Sequence, residues 1–337
     1  MQNDIVQPSE AQRAWMKLGF GLFIHFGPNT FAGAAWGDGR FPASQFAPSH
    51  LDPSQWAEMA AEAGMRYAVM TAKHHDGFCL WPSQFTEYSV KNSPDQPDVI
   101  DAFVKAFRKV GLKVGLYYSL WDRNYPAYED DAAYATYMRN QIAELLTNYG
   151  EILELWFDGG WDKDHPTRQW MFEPEWEQDP HSGLCHGERW EWKRLYDTIH
   201  QLQPNCLVIK NSSSDWPGDV RYHPLDGRTS EHFHFVWQEQ AREPHLDPVF
   251  EDDAGQKVYL PLEFCTTITP GWFWNENQGY CHPSAVTIYD WYATARAAQA
   301  NFLLNIGPNK AGLLPEVHRK FLRQAARQIN QDDPMMV

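Results

Sequence analysis

Short runs of apolar, β-branched and aromatic residues alternate along this chain with longer stretches in which apolar positions recur at helical spacing. The runs are Gly19–His25, Tyr67–Ala72, Lys113–Ser119, Ile152–Asp158 and Cys206–Lys210. Each is shorter than a typical helix, and each predicts a buried strand. Between them lie helical patterns at Pro53–Ala63, Val99–Val110, Ala132–Asn148 and Arg189–Leu202. Asp52 is placed to cap the first of these and Gly64 to end it. This alternation predicts parallel strands covered by helices, and suggests an α/β fold of the (β/α)8-like, TIM-barrel type. After Asn211 the period is less regular. Arg228–Glu231, Leu262–Thr266 and Asn301–Ile306 complete the strand set there, with helices at Ala285–Ala298 and Glu316–Ile329.

Polar residues gather where these strands end: His25, the His74–His75–Asp76 cluster, Tyr117–Tyr118, Trp156 with Asp158, and Glu231. Carboxyl ends of barrel strands face the active site in this architecture, so these are the residues to weigh for chemistry. Gly160–Glu188 is rich in Trp, Glu, Asp and His but has no period, and is expected to be a loop over the site. The chain reads as one catalytic domain, 1–337, with that insertion at about 160–188.

Charge and composition then narrow the partners. A formal charge of −16 repels polyanionic backbones, so nucleic acid is not an expected partner. No stretch is long and apolar enough for a membrane span, and Leu18–Phe26 lacks the flanks of a secretory leader, so a cytoplasmic location is expected. Cys79, Cys185, Cys206, Cys265 and Cys281 are odd in number and show no CxxC spacing, which points to neither a disulfide framework nor zinc. The 16 Trp, many beside His, Asp or Glu, favour sugar binding, because pyranose C–H faces lie flat on aromatic rings while carboxylates and imidazoles take the hydroxyls. Some of these Trp serve simply as core.

Lys73-His74-His75-Asp76-Gly77-Phe78 places two imidazoles and a carboxylate in a tight turn. A metal site is one reading, but adjacent strand residues point to opposite sides and no third ligand stands at a usual spacing. Histidines satisfied within a loop are another, and a pair binding sugar hydroxyls is the reading preferred; no metal or cofactor is expected. Leu155-Trp156-Phe157-Asp158-Gly159-Gly160 ends an apolar strand in a carboxylate, with Trp156 on the same side. Asp158 is either a cap for the next segment or a nucleophile. A glycosidase needs a second carboxyl group, and Glu231 and Glu263, both beside aromatic residues, are candidates that spacing does not rank.

Together these motifs resemble the α-L-fucosidases of glycoside hydrolase family 29. The likeness runs from about Leu18 to about Glu316 and includes Phe20–Gly27, Thr71–Phe78, Gly115–Ser119, Leu155–Gly159 and Asn301–Pro308. It implies a retaining exo-α-L-fucosidase with Asp158 as nucleophile, and Asp226–Glu231 resembles the segment carrying the acid/base, which selects Glu231 over Glu263. It further implies that His25, His74 and His75 hold fucose hydroxyls, that Trp156 and Tyr118 line the ring, and that Arg221 lies near the nucleophile. Trp36 falls in a turn where much of the family has a Glu just before the Trp; this chain has Ala35, and Asp38 is the expected substitute. Thr267–Trp274, with Trp272, looks like the branch acting on α-1,3 and α-1,4 linked fucose. The expected partner is a fucosylated oligosaccharide, and a homo-oligomer is allowed. A β-sandwich domain that many members carry after the barrel has no counterpart before Val337. Two competing readings are a catalytically inactive fucose-binding protein on the same fold and a metal-dependent hydrolase built on His74–His75–Asp76.

Overall fold

The alternation of apolar runs and helical stretches closes on itself. The computed structural model describes residues 6–160, 187–211, 223–231, 246–252, 254–269, 271–276 and 283–332. In chain order its elements are α1 (Glu10–Met16), β1 (Phe20–Ile24), α2 (Pro28–Ala32), α3 (Pro53–Glu62), β2 (Tyr67–Lys73), α4 (Val99–Lys109), β3 (Lys113–Ser119), α5 (Asp131–Asn148) and β4 (Glu154–Asp158). They continue with α6 (Trp192–Leu202), β5 (Leu207–Lys210), β6 (Gly227–Glu231), β7 (Val249–Glu251), β8 (Lys257–Tyr259), β9 (Leu262–Thr267), α7 (Ala285–Ala297), β10 (Asn301–Asn305) and α8 (Glu316–Asp332).

Strands β1 to β6, β9 and β10 pair in parallel, and β10 returns to β1 to close the barrel. The irregularity expected after Asn211 is real. Between β6 and β9 the described residues form the antiparallel hairpin β7–β8 instead of a helix. Helix starts follow their caps: Asp52 accepts from the Ser54 and Gln55 amides, and Asp98, Asp130 and Ser284 do the same work for α4, α5 and α7. Of the Gly160–Glu188 insertion, only Gly160, Gly187 and Glu188 are among the described residues; Arg221, Cys185 and Cys281 lie outside them.

The apolar residues divide into two clusters, because strand side chains alternate between faces. One fills the space between barrel and helices and includes Tyr118, Phe157 and Leu116. The other fills the barrel and includes Trp15, Phe23, Tyr67, Tyr117, Trp156, Ile209 and Leu303. Trp15 reaches it from α1, which is tied to the amino-terminal end of the barrel where Asn301, at the start of β10, donates to the Trp15 carbonyl at 3.0 Å. The interior is thus a packed stack of side chains with polar groups at both ends. Among the described residues no helix is long and apolar enough to cross a membrane.

Candidate active site

Asp158 is the last residue of β4 and points inward, on the same face as Trp156 and Glu154. Gly159 follows at φ 66°, where a Cβ would stand 3.0 Å from His75 Nδ1, Ser119 Oγ and Trp121 Cβ, so only glycine lets the chain turn away here. Three donors converge on the carboxylate. Tyr117 Oη donates to Oδ2 at 2.8 Å, Asn211 Nδ2 to Oδ1 at 3.1 Å and the Gly159 amide to Oδ1 at 2.7 Å. His75 Nε2 lies 3.6 Å from Oδ2, beyond a hydrogen bond. Burial alone would raise the Asp158 pKa, but His75 and these donors outweigh it and hold the acid below its ordinary value. Burial presses His75 down to about 4 despite the attraction of Asp158, so near neutral pH the ring is uncharged. The donors, not the imidazole, therefore keep Asp158 ionised there.

Each histidine of the site has its Nδ1 tied to a fixed partner. His25 Nδ1 meets Asn305 Oδ1 at 2.8 Å, and the Asn305 amide is itself oriented by donating to Thr267 Oγ1 and the Trp272 carbonyl. His74 Nδ1 meets the Asn29 amide at 3.2 Å. His75 Nδ1 meets Ser119 Oγ at 2.7 Å, and that hydroxyl donates onward to the Trp121 carbonyl. The bonds fix tautomers: His25 and His75 carry their proton on Nδ1, and His74 carries its proton on Nε2. Burial pushes His25 down to about 3 and His74 well down, so both are neutral as well.

Adjacent strand residues should face opposite ways, yet the His74 and His75 rings are 4.1 Å apart. The expectation of opposed side chains fails because the strand has ended. A register shift between Thr71 and Lys73 precedes the pair, and β2 stops at Lys73. The turn closes with the Gly77 amide donating to the His74 carbonyl at 2.9 Å, and at Gly77 (φ 85°) a Cβ would fall 2.2 Å from Asp122 Oδ1. Lys73 turns outward to Asp122 at 2.9 Å, with its ammonium 4.3 Å from the centre of the Tyr118 ring.

Several expected positions move. Tyr118, expected to line the sugar ring, faces the helices and donates to Gln141 at 2.6 Å; Tyr117 takes the inward place. Glu263, the other candidate for the second carboxyl group at the site, lies near the amino-terminal end of β9, wholly buried, with Tyr67 and Trp156 donating to it. Asp38 is exposed and accepts from the Arg40 amide in its own turn, so it does not join the cluster. Trp36 does reach it, edge-on to His75 with centroids 5.3 Å apart. Trp156 lies under the site, stacked on Tyr117 at 5.6 Å, and Trp272 packs 5.1 Å from His25.

Glu231 ends β6, and Trp272 Nε1 donates to its Oε1 at 3.0 Å. Its Oε2 accepts from Asn211 Nδ2 at 2.8 Å, the same nitrogen that reaches Asp158. Asn211 was not among the expected site residues, although it directly follows a strand end as the others do. Among the described residues no three His, Cys, Asp or Glu side chains converge as metal ligands would.

A family model described as alpha-L-fucosidase matches residues 41–332. The chain belongs to the alpha-L-fucosidase family. It is 34% identical to alpha-L-fucosidase 1 of Arabidopsis thaliana over 96% of this chain and 60% of that protein. Among solved structures, a glycoside hydrolase 29 family member from an unknown rumen bacterium superposes with a TM-score of 0.76 at 33% identity, over 96% of this chain and 57% of that one. Alpha-L-fucosidase isoenzyme 1 from Paenibacillus thiaminolyticus gives 0.73 at 30% identity, over 96% and 76%. The chain thus spans about 60% of the length of this plant relative. The region matched by the family model runs from before β2 to α8 and includes Asp158 and Glu231.

Proposed function

We propose that this chain is a retaining exo-α-L-fucosidase in which Asp158 attacks the anomeric carbon and Glu231 acts first as acid and then as base. The observation that carries the reading is the shared donor. With arms of 3.1 and 2.8 Å from one Asn211 nitrogen, the bridged oxygens of Asp158 and Glu231 lie within about 6 Å of each other. A direct displacement by a carboxylate requires a spacing of roughly 5–5.5 Å, whereas an enzyme that places water between the groups needs about 6.5–9.5 Å. An ionised Asp158 with three donors is a nucleophile held in place, and each donor can release charge as the glycosyl ester forms.

The surroundings suit a 6-deoxy sugar. Phe23, Tyr117 and Trp156 form an apolar floor, with Trp156 5.0 Å from Phe23. A methyl group gains from such a floor, while a hydroxymethyl group would leave its hydroxyl unpaired. Above it, His25 and His75 present Nε2 as acceptors and His74 presents an N–H, a mixed set for ring hydroxyls. Trp36 and Trp272 supply the aromatic walls. Fucosylated oligosaccharides are the proposed substrates, with α-1,3 and α-1,4 linkages favoured by the Thr267–Trp274 motif.

Proton NMR in the first minutes of hydrolysis of an aryl α-L-fucoside should show the α-anomer of fucose, and a β-anomer as first product would remove the nucleophile role from Asp158. Glu231→Ala should slow oligosaccharides by about 10²–10⁴-fold and an activated aryl fucoside far less, because a basic leaving oxygen needs its proton. Azide should then accumulate an α-fucosyl azide, because it enters the β-linked intermediate from the face the leaving group left. Equal loss on both substrates argues against Glu231 as the acid.

A further inference from the structure

Below the site, at the amino-terminal end of the barrel, lies a second pair of carboxyl groups that the proposed reaction does not use. Glu263 is 0% exposed, and its oxygens accept from Tyr67 Oη at 2.5 Å and from Trp156 Nε1 at 2.9 Å. Glu154, also 0% exposed, accepts from the Trp15 indole, and its second oxygen has no partner. Neither has an ion pair among the described residues. Burial and mutual repulsion push Glu154 well up, and burial lifts Glu263 to about 7.

The bond from Trp156 to Glu263 leads directly to the chemistry above. The indole ring stacks on Tyr117 with centroids 5.6 Å apart and planes 23° from parallel. Tyr117 in turn stacks on His74 at 5.4 Å and donates to Asp158 at 2.8 Å. Trp156 also holds the edge of Phe23, which touches Trp272, the donor to Glu231. One indole therefore supports the donors of both carboxylates of the site.

We propose that Glu263 is a positioning residue: by accepting the Trp156 indole N–H it fixes the ring on which Tyr117, and through it Asp158, is aligned. The proposal rests on the retaining-fucosidase reading. What matters is the acceptor oxygen, which a glutamine also provides, and not the charge. His75 after β2, Tyr117 on β3, Asn211 after β5 and the Gly159 amide lower the Asp158 pKa against its burial, and His25 at the end of β1 and Glu231 on β6 are the other titratable groups of the same cluster.

The test compares Glu263→Leu, which removes the acceptor at similar volume, with Glu263→Gln, on an aryl α-L-fucoside across pH, with thermal unfolding in parallel. Glu263→Leu should lower kcat about 10- to 100-fold with KM nearly unchanged, and should move the acid limb of kcat/KM to higher pH as Tyr117 loosens from Asp158. Glu263→Gln should keep kcat within about threefold and leave the acid limb in place. A folded Glu263→Leu with wild-type kcat and pH profile overturns the proposal, and so does a glutamine variant as impaired as the leucine one. Should the leucine variant fail to fold, Trp156→Phe removes the same bond from the donor side; it must reproduce the kcat loss and the shift, and wild-type behaviour overturns the proposal. A wild type that does not turn over the fucoside sinks the fucosidase reading instead. The crystal structure of Glu263→Leu then decides the contact chain, with Tyr117 displaced from Asp158 supporting it and Tyr117 unmoved overturning it.

Discussion

Strand β4 carries two carboxyl groups on its inward face, Glu154 near its start and Asp158 at its end, and the barrel shifts their pKa values in opposite directions. Glu154 is fully buried and Asp158 is partly exposed. Asp158 receives three hydrogen bonds and is drawn below its ordinary pKa, whereas Glu154 receives one, faces Glu263 and is driven up. Burial acts the same way on each, so the number of donors and the sign of the neighbours decide the outcome. One barrel thereby lowers the pKa of the acid at its open end and raises those of the two acids at its closed end.

The largest effect should come from removing the upper anion. Asp158→Asn is nearly isosteric but cannot form a glycosyl ester, so aryl fucoside turnover should fall on the order of 10⁴-fold or more while the unfolding midpoint stays within a few degrees. Activity within about tenfold of wild type would show that another group attacks. Tyr117→Phe takes away one of the three donors and should bring the upper carboxyl closer to the lower ones. Because a depressed pKa means activity is lost as pH falls through it, losing a donor should shift that loss upward by about half to one pH unit, with roughly a tenfold lower kcat/KM. An unmoved acid limb would mean that Tyr117 does not hold the charge.

The smallest effect belongs to the lower pair and concerns stability. A carboxyl group whose folded pKa is raised stabilises the fold in its protonated form. That contribution is fully present below the unfolded pKa of about 4.3 and is lost as pH rises through the folded value, about 7 for Glu263. Glu154→Gln is neutral throughout, so its advantage over wild type should be small at pH 5 and grow to about 1–2 kcal/mol by pH 8. Unfolding midpoints across that range would test it, and a difference that does not grow with pH would mean that the fold does not raise the Glu154 pKa.

The barrel was legible because strand and helix periods differ and each strand run ended in polar residues. Asp158, His25, His74, His75 and Glu231 were found by that rule, and Asn211 could have been. Tyr117 and Tyr118 show where the rule stops. Both end the same strand, and choosing between them requires its inward parity, which the sequence alone does not fix for an all-buried run. Glu263 was misplaced for the opposite reason: it begins its strand rather than ending it, and a carboxylate beside aromatic residues looks the same at either end. Arg221 and most of the 160–188 insertion lie outside the described residues.

The register shift in β2 gives this segment an unusual relation to genetic change. Ala72 and Lys73 face the helices, and the turn beyond them offers both imidazoles to the same side. Substituting Ala72 alters only packing against that outer layer. Losing its codon would carry Lys73 to the inward phase and set the histidines one position out of step with Asn29 and Ser119. The number of residues before the turn therefore sets the direction of both imidazoles, and a one-residue deletion here should disturb the site more than a conservative substitution at Ala72 does.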